Sequence, residues 1–302
     1  YQGFGNFVVP WKLHVREGEV HLRRALELAN SNGDLTYAAY LQFILLSQLL
    51  ARALPLGDLH RFADQAIAFA RASRFGLVVA MLGVQLALIK TLRGLTPQFG
   101  SFDDESFDEA ETETYLEANP NLALPACYYW VHKLQARFYS GDFEGAAQAV
   151  ERARPLLWTS PAFLRLSDYH FFAGLTRAAR GELELMSEHH QQMQVWATNC
   201  RSNFGHRAGL LAAERARLEG RVAEAESAFE QAATDARREE FWQDEGLACE
   251  AAARHYRQRG LQSIAEACLE NARHAFRRWG ASAKLRQLGV QAENEQSGSE
   301  MR

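Results

Sequence analysis

The chain has 302 residues, 47% of them hydrophobic and 23% charged, which is the balance of a globular protein with enough apolar surface to offset chain entropy. General disorder is therefore excluded, and 7 prolines with 21 glycines exclude collagen-like and low-complexity classes. A net charge of -4, from 33 basic and 37 acidic residues, argues against a protein built to hold duplex DNA.

Apolar residues recur at three and four along nearly the whole chain, without sustained alternation of period two, so every predicted element is a helix. The chain starts at Tyr1 rather than Met, which reads as a processed end or a cut from a longer polypeptide. A helix around 9–30 comes first, without a partner, as in an array truncated at its amino end. Helix pairs then follow at 34–53 with 58–74, 76–93 with 105–118, 121–140 with 143–156, and 161–180 with 182–199. Two more are expected at 201–219 with 222–238 and 241–259 with 262–278. The apolar run from Phe75 to Ile89 falls short of the roughly 20 residues of a membrane span and reads as a buried helix. Pro10, Pro120 and Pro161 suit first helical turns, the last two after the caps Asn119 and Ser160. Trp279-Gly280-Ala281 ends the last long helix and leads into a short cap over 280–289. The segment 291–302 is polar and reads as a linker or tail.

The most informative feature is a repeat. Glycines stand at Gly141, Gly181, Gly220 and Gly260, spaced by 40, 39 and 40 residues. After three of them comes a small-large-small pattern: Ala146, Val150, Ala153; Ala225, Phe229, Ala232; Ala265, Leu269, Ala272. Offsets of four and three put each set on one helix face, where alanines admit a neighbouring helix. The Gly181 unit has Met186, His190 and Met193 instead. Seven residues before three of the glycines stand Gly174, Ala213 and Ala253. This arrangement resembles tetratricopeptide repeats, and the expected fold is an all-α, tetratricopeptide-like helical-hairpin solenoid with a period of about 40 residues. Length alone would suggest two domains; the repeat merges them into one domain over 1–290 of about six helix pairs, with 291–302 outside it.

Motifs for chemistry are missing. There is no phosphate-binding loop, GxSxG, HExxH or kinase-type loop. The four cysteines lie far apart and read as reduced, buried thiols of a cytoplasmic protein. His189 and His190 diverge on one helix, so no metal or cofactor is expected. The acidic stretch from Asp103 to Glu117 reads as a helix start at Asp103, Asp104 and Glu105 with a solvated face. At the other end, Arg254, Arg257, Arg273, Arg277 and Arg278 form a candidate basic docking surface for an acidic neighbour, without the interleaved aromatics of a nucleic-acid site. Counted back from the glycines, Tyr129 and Tyr169 stand at -12, Trp130 and His170 at -11, His132 and Phe172 at -9. These six are the candidate floor of a groove on the concave face, for a peptide, partner domain or small effector. On that reading, replacing Tyr129 and Tyr169 with alanine weakens binding and leaves helicity intact.

The stretch Trp196–Leu288 carries a more specific likeness. It reads WATNCRSNFGHRAGLLAAERARLEGRVAEAESAFEQA, then DEGLACEAAARHYRQRG, then ENARHAFRRWGASAKLRQL. With GDLTYAAY at Gly33–Tyr40, it resembles the helical-repeat region of large bacterial multidomain signalling proteins. In that family the repeats follow a predicted ATPase module and precede a GAF domain and a sensor histidine kinase or diguanylate cyclase. The resemblance implies a non-catalytic sensory or interaction arm that regulates ATPase or kinase output, with neighbouring domains or a protein partner as ligands. The arms of ATPase-type transcription regulators are similar, and an enzyme with an unrecognised pocket is the third alternative. Asn203 is a candidate cap of its own helix, so that Asn203→Ala should cost about 1 kcal/mol. Glu214 and Arg217, three apart, form a candidate local pair worth tenths of a kcal/mol if exposed.

Overall fold

The computed structural model of the chain describes residues 1–289; the predicted tail 291–302 lies outside them. Among the described residues everything regular is helical, apart from an isolated bridge between Asp104 and Phe107. The helices are α1 (Gln2–Phe7), α2 (Val9–Lys12), α3 (Val15–Ser31), α4 (Leu35–Ala51), α5 (Leu56–Ala72), α6 (Gly76–Arg93) and α7 (Glu109–Ala118). There follow α8 (Ala123–Ser140), α9 (Phe143–Ala153), α10 (Arg165–Ala179), α11 (Leu183–Asn199), α12 (Arg201–Leu218), α13 (Val222–Arg238), α14 (Trp242–Gln258) and α15 (Gln262–Trp279). Residues 282–289 are helical as well.

The repeated glycines do one job. At Gly141, Gly181, Gly220 and Gly260 the backbone is left-handed, with φ of +83°, +77°, +72° and +78°. The next amide donates to the carbonyl five residues back: Asp142 to Arg137, Glu182 to Arg177, Arg221 to Ala216, Leu261 to Tyr256. This closure satisfies carbonyls that a helix end leaves free, and glycine adopts it without steric cost. The next helix then runs back antiparallel. The small-large-small positions after the turns are all buried, as are Met186, His190 and Met193. Hairpin geometry therefore follows from local sequence, and the helical-hairpin class is as expected.

Helices α4, α6, α8, α10, α12 and α14 pack in succession on one another, while α3, α5, α9, α11, α13 and α15 pack against them. Helix α4 is apolar on nearly all sides and α6 largely so, because each meets neighbours on several faces. By length and composition α6 could cross a membrane; in the structure it packs among α4, α5 and α8.

The amino-terminal helix is not left without a partner. Residues 9–30 divide into α2 and α3, and α3 pairs with α4. The α2–α3 turn is held by the distant α12: Asn203 donates to the carbonyls of Pro10 (2.7 Å) and Leu13 (2.8 Å) and accepts from the Val15 amide (3.0 Å). Trp11 stacks on Phe204, its ring 5.3 Å away, and donates to the Ala162 carbonyl at 3.0 Å. Near the other end, Lys284 donates to the Tyr139 carbonyl (3.0 Å) and Gln287 to that of Ser140 (2.6 Å). The array thus curls until its first helices clasp α12, and its inner helices face one another across a common axis.

Three local expectations change. Asn203 does not cap its own helix; it accepts from the first amide of α3, Val15, beside the N-cap His14. Asn119 makes no side-chain cap: Pro120 opens a short 3-10 turn, and α10 begins at Arg165 rather than Pro161.

Candidate functional site

The inner helices converge on a chamber of about 40 Å³, room for roughly three waters. From α8 it receives Tyr128, His132, Gln135 and Tyr139, a stripe at helical spacing. Helix α10 adds Arg165, Asp168 and Phe172, α12 adds Arg207, α14 adds Gln243, α4 adds Gln48, and α1 adds Asn6. A chamber wall so rich in polar groups is unusual for a helical core, since each polar group taken from water needs a partner.

Arg207 is the central one, its side chain 6% exposed. Its Nε donates to Asp244 and its Nη1 to Asp168, both at 2.8 Å. His206 bonds the same oxygen of Asp244 at 2.8 Å. Burial pushes the Asp244 carboxyl up, but Arg207 and His206 outweigh it and hold it below the usual range. Asp168 stays above its usual value, because burial there exceeds the pull of Arg207.

Arg165 lies differently. Its guanidinium carbon sits 3.1 Å from the Tyr128 ring centroid, and Nη1 meets His132 Nε2 at 2.9 Å. Burial and the adjacent Arg165 push the His132 pKa far down, so the ring is neutral. It accepts from Arg165 through Nε2 and donates through Nδ1 to Gln135 Oε1 at 3.0 Å. Five buried polar atoms of the lining residues have no protein partner: Arg165 Nε, Asn6 Nδ2, Trp279 Nε1, Gln48 Oε1 and Gln243 Oε1.

The six candidate groove residues separate onto different faces. His132 and Phe172 line the chamber. Tyr129 turns outward, bonding Glu113 at 2.6 Å and packing on Phe102 and Phe107. Trp130 stands edge-on to Tyr129, with Lys133 and Arg152 over its ring. Tyr169 and His170 pack on His189 of α11. Tyr129, Trp130, His132, Tyr169 and Phe172 are all buried, so the open aromatic floor is corrected to core packing. Alanine at Tyr129 and Tyr169 would therefore remove core, not a free surface. The axial register lies one residue earlier, at -13 from the glycines, where Tyr128, Asp168 and Arg207 stand.

The basic set is likewise not one surface. Arg254 and Arg257 line a cleft of about 480 Å³ bounded by α8, α12, α14 and 282–289, together with Lys284, Glu214 and Glu250. Arg254 pairs with Glu214 (2.9 Å) and Lys284 with Glu250 (2.7 Å). Glu214 also takes Arg217 at 2.5 Å; this carboxylate is buried, so the pair is not the exposed one expected. Arg273 is met by Glu266 and Glu270, while Arg278 stacks on Trp242 at 3.5 Å and Arg277 is exposed. The acidic stretch is paired too: Asp104 with Lys90, and buried Glu109 with Lys133 and Arg137. Helix α7 starts later than expected, capped by Asp108. A further cleft, about 580 Å³, opens between α6, α7 and α8 beside Leu77, Met81, Tyr115 and Tyr129.

The outer histidines carry a pH dependence. His170 and His189 meet through their Nδ1 atoms at 3.1 Å. Burial pushes His170 down to about 4; burial, then His170 and Arg177, push His189 down to about 3. The unfolded chain therefore takes up these protons first, near pH 6.5. Stability is complete above that value and falls on acidification toward the folded pKa values, by up to about 1.4 kcal/mol per pH unit for each ring. Urea unfolding at pH 7.5 and 5.5 should show a steeper loss in the native protein than in His170→Leu. Equal losses would remove this pair from the acid response.

In comparisons with known proteins, the chain matches no protein-family model and no curated protein.

Proposed function

We propose that this chain is a non-catalytic sensory or interaction arm of a bacterial signal-transduction protein, a helical-repeat solenoid regulating an ATPase or kinase output. The observation that carries this reading is the clasp between the α2–α3 turn and α12. A chamber bounded by six inner helices, whose Asp168 and Arg207 also border a small void beneath Val15 and Asn203 of the clasp, gives an effector or partner a way to act on both halves of the array. Two ligand-sized clefts between helix layers add surface for a neighbouring domain. Allosteric coupling of this kind is commonly worth about 5-fold or more in output. The test is made in the parent polypeptide, with ATP hydrolysis and autophosphorylation measured for the native protein and Trp11→Ala. Output should change at least about 5-fold in a variant whose α2–α3 amides exchange faster. Unchanged output with an opened clasp overturns the reading.

A further inference from the structure

We propose that the axial chamber binds a small zwitterionic amino acid, with its carboxylate on Arg165 and its ammonium on the side-chain carbonyl of Gln243. This deepens the sensory reading by naming an effector class.

One buried charge of the chamber has no partner of opposite sign. Arg165 is 5% exposed, and among the described residues no carboxylate lies within ion-pair distance of it. Its partners are a neutral imidazole and an aromatic face. Asp168, three residues on along α10, is held by Arg207. A buried cation without a counter-ion is costly, and its unpartnered Nε belongs to the edge with which a guanidinium grips a carboxylate in bidentate fashion.

The acceptors are fixed as firmly. Gln48 donates its Nε2 to the Gly5 carbonyl and Gln243 donates its Nε2 to the Ala51 carbonyl, each at 2.8 Å. Neither amide can flip without losing that bond, so each leaves its Oε1 as a buried acceptor with no donor; that of Gln48 packs at Gly18 of α3, where an added Cβ would meet it at 2.7 Å, and Gln243 is the acceptor left for the chamber. A bare anion would not answer Gln243; an ammonium group does.

Charge and size narrow the class. Arg165 and Arg207 are balanced by Asp168 and Asp244, although both carboxylates are taken by Arg207. An occupant of no net charge keeps that balance while repairing its uneven distribution. The chamber volume of about 40 Å³ replaces roughly three waters, which limits the side chain to that of glycine, alanine or serine. Ile44, Leu88 and Leu92 supply apolar wall for a methyl group.

Binding to the purified chain is measured by calorimetry and thermal shift with glycine, L-alanine and L-serine, against acetate, methylammonium and lactate. At least one amino acid should give a saturable shift, with acetate and methylammonium about 10-fold weaker or more, since each lacks one charged hydrogen-bonding end. Arg165→Gln should abolish the shift with its helical circular dichroism retained. Gln243→Leu, on a different helix, should weaken binding about 10-fold or more and serves if Arg165→Gln does not fold. No saturable shift with any amino acid, as for a chamber holding water alone, overturns the proposal. So does binding unaltered in both variants, or acetate or lactate equal to the best amino acid. These failures concern the chain alone and leave the output test of the arm unaffected.

Discussion

Arg207→Met is expected to lose about 4 kcal/mol of stability, the largest effect of any single substitution in the chamber. The guanidinium is the only direct bond of Asp168 to a cation and shares Asp244 with His206 among the described residues. Methionine matches the side chain in length and removes the charge, so two carboxylates stay buried without it. The loss should therefore reflect abandoned charges, not a cavity. Adding Asp168→Asn and Asp244→Asn should return at least about 2 kcal/mol of it, because neutral amides are far less costly to bury than carboxylates. Urea unfolding of the single and triple variants makes the comparison. A single variant within about 1 kcal/mol of the native protein would mean that water or relaxation already screens the cluster.

Asn203→Ala should cost about 3 kcal/mol, several times the value for a simple helix cap. Its side chain satisfies one amide and two carbonyls at the α2–α3 junction, where Pro10 and Val15 are buried and only Leu13 and His14 lie outside the helices. Alanine strands the Val15 amide and the Pro10 carbonyl, leaving the Leu13 carbonyl with the Cys200 thiol at 3.4 Å, and each orphaned buried group costs about 1–3 kcal/mol before relaxation. Hydrogen exchange gives a second readout: the α2–α3 turn should lose protection before the hairpins from α8 onward. A loss of only about 1 kcal/mol, with the turn still protected, would show that Trp11 on Phe204 and Trp196 holds the clasp by itself.

What the sequence revealed tracks the range of the interaction. The hairpins were legible because Gly141, Gly181, Gly220 and Gly260 answer to a local rule about left-handed turns. The same turn at Arg74 and Glu240, with φ of +60° and +64°, carries no glycine and so no signal. Buried alanines after the glycines were legible from periodicity. The chamber was not, because its members come from eight helices and meet only once the array has curled. The missing step was small: one residue separates Tyr129 from the axial Tyr128, or about 100° around the helix. A guide was present in the polar stripe of Tyr128, His132, Gln135 and Tyr139 along α8. Asn203 was found as a capping residue, but a sequence cannot say that the amide it meets lies 188 positions away.

The clasp also changes how such a chain must gain and lose its structure. In an open stack each hairpin touches only its neighbours, so terminal units fray independently and folding can start anywhere. Here the first helices are tied to α12 by bonds spanning 188 to 193 residues. Closing so long a loop carries an entropic cost that must be met before its contacts form, which raises contact order and slows the last folding step. Once closed, no hairpin between α3 and α12 lies at a free edge. The expected behaviour is that of a hoop: slow to shut, and cooperative when it opens.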